Sequence, residues 1–171
     1  ATMFRHGKET QVAVGGYNIS AYLNQADAIM SIDTAETSHF GSQAKTYVTG
    51  EDDGTFSVKG LFDGSVGGID DVSDAILGYN IAEAVIPVIL ADDGGFATGR
   101  RAKLGLSKVT GWEVDAPVAD VVSISGDFQA TKGIRHGVML SGATASPLGV
   151  SNGSTVDSTT ASAGVLRVFA A

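Results

Sequence analysis

The stretch TFSVKGLFDGSVGGIDDVSDAILGYN, Thr55 to Asn80, changes its hydrophobic period halfway. Phe56, Val58, Gly60 and Phe62 alternate at period 2, which predicts a strand with one face inward. After a glycine-rich gap, Ile69, Val72, Ile76 and Tyr79 recur at helical spacing. Asp70 and Asp71 then sit in the first turn, where a helix dipole favours acids, and Gly78 marks a stop. The spacing predicts a single helix over 69–79 that follows a strand.

Outward from this stretch the chain reads as further strands. ETQVAVGG alternates Val12 and Val14 and ends in the turn pair Gly15-Gly16. NISAYLN fits one helical turn capped by Asn18 or Ser20. AIMSID is strand-like, and KTYVTG leads into EDDG (51–54), read as a polar turn. AEAVIPVILA is a buried strand with Pro87 near an edge or bulge, and DDGGFATG is a hairpin turn. RRAKLGLSKVTGWEV places Ala102, Leu104 and Leu106 on one face. DVVSISGDFQA alternates Val122, Ile124, Gly126 and Phe128, and GIRHGVML and GVLRVFAA add two more strands. A Ser/Thr/Gly/Ala tract over 142–164 is an extended arm or a long hairpin loop. Ser57/Gly60/Phe62 and Ser123/Gly126/Phe128 share a Ser-apolar-x-Gly-x-Phe pattern, by duplicated hairpin design or by chance.

Size and composition narrow the class. One domain over 1–171, with residues 1–8 as an N-terminal arm, is the expectation for 171 residues. With 23 glycines, 3 prolines and many β-branched residues, the chain is mainly β and turn-rich. It has no cysteine, which removes disulfides and thiolate chemistry. A formal charge of −8 sets it against nucleic-acid phosphates. It suits a surface past which DNA slides without sticking. No stretch reaches the roughly 20 apolar residues of a membrane helix, so no membrane partner is expected. ATMFRHGKET lacks the apolar centre of a signal peptide, and Ala1 is read as the residue left after initiator-Met removal.

The best chemical candidate is DTAETSHFGS, Asp33 to Ser42. Asp33, Glu36 and His39 step by three and would share a helix face, yet the Thr and Ser content and the closing Gly41 argue for a loop. The three histidines, His6, His39 and His136, show no metal-ligand spacing. No GxSxG elbow, phosphate loop or spaced calcium ladder occurs. The expectation is no enzyme, no metal and no cofactor. Phe40 is the one large apolar residue of this polar loop, placed to dock it on its own domain or on a partner. Arg100, Arg101 and Lys103 form the only basic cluster, either a neighbour's acidic-patch partner or a solvated strand face. Trp112 is a core residue or an interface anchor.

The run VAVGGYNISAYLNQADAIMSIDTAETSHFGSQAKTYVTGEDDGTFSVKGLFDG, residues 12–64, resembles structural proteins of tailed bacteriophages. The pattern is G-x-x-I-S-A-Y-L, D-T-A-E-T-S-x-F-G, K-T-Y-V-x-G and D-G-T-F-S-V-x-G-x-F-D. VTGWEVDAPVADVVSISGDFQATKGIRHGVML continues it, so the likeness spans most of residues 5–141. The family is that of tail-tube, or major tail, proteins.

The resemblance implies a β-sandwich or flattened barrel with one flanking α-helix, a long inter-strand loop at 33–46 and a C-terminal arm. It implies six-copy rings stacked into a tube for viral DNA, in a virion assembled in the host cytoplasm. Partners would be copies of the chain and other tail or head proteins, with DNA passing unbound. Asp33, Thr34, Glu36, Thr37, His39, Phe40, Lys45, Arg100 and Arg101 are the expected subunit-interface residues. The alternative readings are a capsid decoration protein on the virion exterior and, further off, a carbohydrate-binding sandwich.

Overall fold

In the computed structural model, residues 4–41, 44–81, 85–97, 99–140, 150–151 and 165–168 are described. Ten strands and one helix occur in the order β1 (Gln11–Val14), β2 (Tyr17–Asn18), β3 (Leu23–Glu36), β4 (Tyr47–Leu61), α1 (Ile69–Ile81), β5 (Ile86–Ala91), β6 (Arg101–Asp115), β7 (Ser123–Ala130), β8 (Arg135–Leu140), β9 (Val150–Ser151) and β10 (Val165–Val168). They form one sheet, ordered β2-β1-β5-β6-β7-β4-β3. All pairs are antiparallel except β9 with β10.

β6 is where the sheet divides. Its first residues pair with β5 on one side and β8 on the other, and its second half pairs with β7. The sheet folds over itself there. Val12, Val14, Val88 and Leu90 of the first arm meet Phe56, Val58, Ile124 and Phe128 of the second across one core. Helix α1 presses Ile69 and Ile76 into that core. The sheet does not close, because β2 and β3 end its two arms without meeting. This is the mainly β, one-helix architecture expected from the sequence.

The period-2 segment behaves as read: Gly54, Phe56, Val58 and Gly60 are all buried. The continuous apolar run of β5 has its reason as well. Ile86, Val88 and Leu90 face the main core, while Ile89 and Ala91 enter a second cluster with Ala13, Ala102, Leu104 and Met139 on the opposite face. A strand buried on both faces loses its alternation. Pro87 stands near the start of β5, where its carbonyl accepts from Gly15 N (2.8 Å) and no interior ladder donor is lost.

Three local readings are corrected. EDDG is no turn: it lies inside β4, paired with Met30, Ser31 and Ile32. The polar run faces solvent on a projecting strand, so polarity there reports exposure and not a change of direction. The inter-strand loop is shorter than 33–46, because β3 continues through Glu36 and β4 resumes at Tyr47. Gly78 does not stop α1, which runs to Ile81. On β6 the face shared by Ala102, Leu104 and Leu106 is as read, and along the strand burial passes from that face, with Ala102 and Leu104 in the second cluster, to the opposite one, with Gly105, Ser107 and Val109 buried and Val109 in the main core. Gly105 marks the crossing because a Cβ there would lie 2.6 Å from the Phe56 ring. The 142–164 tract, apart from Val150–Ser151, lies outside the described residues.

The two echoed segments are neighbours in one sheet. β4 and β7 pair with Lys59 opposite Ser125, so Gly60 faces Ile124 and Gly126 faces Val58, symmetric about that pair. Each glycine admits a close approach from the flank. A Cβ on Gly60 would meet the Tyr22 carbonyl, and one on Gly126 the Trp112 ring. Trp112, half-buried, covers Gly126 at the edge of the core.

Candidate assembly surfaces

The hairpin of β3 and β4 is the largest departure from the folded body. β7 supports β4 only from Thr55 to Leu61. The residues from Tyr47 to Gly54 lie beyond it and, at about 3.3 Å each, carry the hairpin roughly 26 Å further. Every described residue from Ile29 to Asp53 is exposed. The far end is held by local bonds: Thr37 N to Thr46 O (2.8 Å), Thr46 N to Ser38 Oγ (3.1 Å) and the Thr37–Thr46 hydroxyl pair (3.0 Å). Lys45 Nζ meets Glu36 Oε2 at 3.2 Å, an exposed pair of small energetic value.

The expected interface residues divide into two groups. Thr34 pairs with Thr49 and Glu36 with Tyr47 on the strands. Asp33 stands opposite a bulge, where β4 places both Gly50 and Glu51 between the pairs Ile32–Asp52 and Thr34–Thr49. Thr37, His39, Phe40 and Lys45 form the hairpin end, and Phe40 is 106% exposed. Arg100 and Arg101 sit apart, at the β5–β6 hairpin. There the acids belong to the same chain: Asp92 pairs with Lys103, and Asp93 accepts from Arg5 Nε (3.0 Å) and from Arg101 N (3.4 Å). The Arg5 hydrogen bond, followed by the Arg101 backbone donor, holds the Asp93 carboxyl below its ordinary pKa.

A clasp at the hairpin base escapes sequence reading. The β7–β8 connection buries Ile134 over Gly54, where a Cβ would lie 2.5 Å from Ile134 Cγ1. Gln129 Nε2 donates to Gly54 O (3.2 Å) and to Asp53 Oδ1. Arg135 reaches Asp52 (3.5 Å), and His136 Nε2 lies 3.4 Å from Met30 Sδ. Gly133, at φ 68°, completes the approach, since a side chain there would collide with the Asp52 carboxylate. The glycines of EDDG and TKGIRHG were the available signal, and Gly54 in particular reads like a turn.

Two further features bear on assembly. Among the described residues β3 pairs with β4 alone, so its other edge offers unpaired backbone groups along a strand that exposes Ile29, Met30 and Ile32. The face of the β3-β4-β7-β6 layer turned away from the core is polar and acidic. By register it carries Asp27, Asp53, Asp127, Glu113 and Asp115 among serines and glutamines, against Lys59 and Lys108, with Ile29 and Leu61 as apolar members. Among the described residues, no three of His, Asp or Glu converge as metal ligands. No described helix is long and apolar enough to cross a membrane.

No family model and no curated protein sequence matches this chain. Solved structures do match. The SPP1 tail tube aligns with TM-score 0.61 at 13% identity, covering 80% of this chain and 80% of that one. A chain from the tail of an empty gene transfer agent particle, of C6 symmetry, aligns with TM-score 0.59 at 13% identity over 77% and 97%. A chain of the PVC sheath–tube complex, from an extracellular contractile injection system, gives 0.55 at 16% over 75% and 88%. At such identities the likeness is one of backbone architecture, and that architecture agrees with the sequence resemblance: the chain has the tail-tube fold.

Proposed function

We propose that this protein is a structural tail-tube subunit of a tailed-phage type of virion. Its copies close into hexameric rings, and the rings stack into a channel for viral DNA. The observation that carries the reading is the β3–β4 hairpin, which overhangs β7 and whose outer strand β3 has an open edge among the described residues. A two-stranded ribbon is marginal in water on its own. Here it also exposes Ile29, Ile32, Phe40, Tyr47 and Val48. Edges and apolar groups of this kind are stabilised by a neighbour, and heterologous contacts that close a ring supply one.

The expected interface residues fit this role unequally. Phe40 is the anchor of the hairpin end, and Thr34, Thr37 and His39 are polar contacts around it. Asp33, Glu36 and Lys45 lie on the rim. Arg100 and Arg101 belong to a separate lateral surface whose acids are partly supplied by the chain itself. The acidic outer face suits a lumen, because it repels phosphates as DNA moves through.

Burying Phe40 contributes about 2 kcal/mol per copy. Six copies acting together in a ring contribute about 12 kcal/mol to each ring–ring contact, before ordering costs. Purified protein should therefore form rings and tubes in negative-stain micrographs. Phe40→Ala should leave the melting temperature of the subunit unchanged and abolish tubes. Monomers or trimers at every concentration, binding only to preformed capsid shells, would establish the decoration-protein reading instead.

A further inference from the structure

The clasp at the base of the hairpin holds its two strands unequally. Gln129, Ile134 and Arg135 all reach β4, at Asp52, Asp53 and Gly54. The outer strand β3 is met by His136, whose Nε2 lies 3.4 Å from Met30 Sδ. Met30 pairs with Gly54, one step beyond Thr55, where the support of β4 by β7 ends. The contact therefore sits where the hairpin leaves the folded body. A thioether sulfur is a weak acceptor, so β3 is fastened at this point by a weak bond.

Met30 is also open to reagents. It is 45% exposed, with His136 exposed beside it, whereas Met139 is fully buried in the second cluster. Oxidation of methionine follows access to the sulfur. We infer that Met30 is an oxidation site, and that its sulfoxide fastens the hairpin more firmly to the body. The co-reactant is a peroxide. A sulfur lone pair attacks one peroxide oxygen, and the S–O bond forms as the O–O bond breaks. The departing hydroxide takes up the proton of the transferred hydroxyl and leaves as water. Sulfur loses two electrons and the peroxide gains them. The product carries a full oxygen acceptor on the sulfur that already faces His136 Nε2. An N–H···S contact thus becomes N–H···O with little movement. In a packed core the added polar oxygen would disrupt its surroundings. Here the pair lies at the surface, so the oxygen keeps part of its hydration and the cost is small. Donation requires the proton on Nε2, so oxidation also selects that tautomer of neutral His136. Both steps occur within the single subunit, whether or not it assembles.

Treating unassembled protein with hydrogen peroxide tests this. Peptide mass spectrometry should find one added oxygen on Met30 well before any on Met139. The paired amides of 29–36 and 47–54 should then exchange about fivefold more slowly, the gain of one net hydrogen bond, while α1 exchanges as before. Met30→Leu should show no slowing after the same treatment, which separates the effect from oxidation at Met3. Met30→Gln, which places an amide oxygen at similar reach, should slow exchange without any peroxide. His136→Ala should take up oxygen at Met30 and show no slowing. Met30 that stays reduced while Met139 oxidises would overturn the site. Hairpin amides that exchange as before or faster once Met30 is oxidised, or a slowing that survives in His136→Ala, would overturn the fastening.

Discussion

Replacing Gly60 by alanine tests the close approach at the centre of the fold. Gly60 lies on β4 between Ile124 of β7 and Leu23 of β3. A Cβ at that position would stand 2.1 Å from the Tyr22 carbonyl oxygen, 2.8 Å from its carbon and 2.9 Å from Leu23 Cα. All three are backbone atoms and cannot rotate aside. The short 3-10 turn Ser20–Tyr22 that carries them is fixed by Ser20 Oγ, which accepts from Val12 N (2.9 Å) and donates to Val12 O (3.3 Å), and by Tyr22 N to Ile19 O (3.1 Å). Ile19 itself is buried. Overpacking against side chains costs about 1–3 kcal/mol, and a fixed backbone puts this site near the top, about 3 kcal/mol. In a chain of this length that lowers Tm by about 6–12 °C. Gly78→Ala is the control. It lies in helix α1 with no outside atom within 4 Å of the new methyl, so it should gain up to about 1 kcal/mol and raise Tm slightly. Thermal and urea unfolding followed by circular dichroism, at concentrations that keep the protein unassembled, reads both. A Gly60→Ala protein that melts with the parent would refute the reasoning, and so would a Gly78→Ala protein that melts well below it.

Phe56, 1% exposed between β4 and β6, should cost about 3–5 kcal/mol when truncated to alanine, measured by urea unfolding. Ile134→Ala should loosen the clasp at Gly54, so that amide exchange quickens between residues 29 and 54 while α1 stays as protected as before. Arg5→Met should move the Asp93 carboxyl up toward the ordinary aspartate range in a carbon-detected titration, with the Arg101 backbone donor still lowering it. Because the folded pKa of Asp93 is depressed, its contribution to stability is present at neutral pH and is lost as pH falls through that lowered value. The parent should therefore be more stable than Arg5→Met at neutral pH and equal to it in strong acid.

Much of this protein follows from patterns that act over a few residues. The switch of period between Phe62 and Ile69 determined a strand and a helix, because alternation and the 3.6-residue turn are local consequences of backbone geometry. The unbroken run of β5 and the alternation of β7 were legible for the same reason. The ends of elements were less legible. Gly54 and Gly78 look like punctuation, yet one admits Ile134 and the other continues a helix. A glycine chosen for a close approach is indistinguishable in sequence from one chosen for a turn.

What the tertiary structure alone decided was how far each strand extends and what stands beside it. The sequence identified Asp33–Ser42 as polar and Phe40 as its odd member. Only strand pairing showed that Asp33 to Glu36 continue β3, that the hairpin overhangs β7, and that Phe40 stands in solvent. The clasp of Gln129, Ile134, Arg135 and His136 on Met30 and Asp52–Gly54 joins residues about a hundred or fewer positions apart. No local pattern encodes it, because such contacts depend on where the sheet folds over.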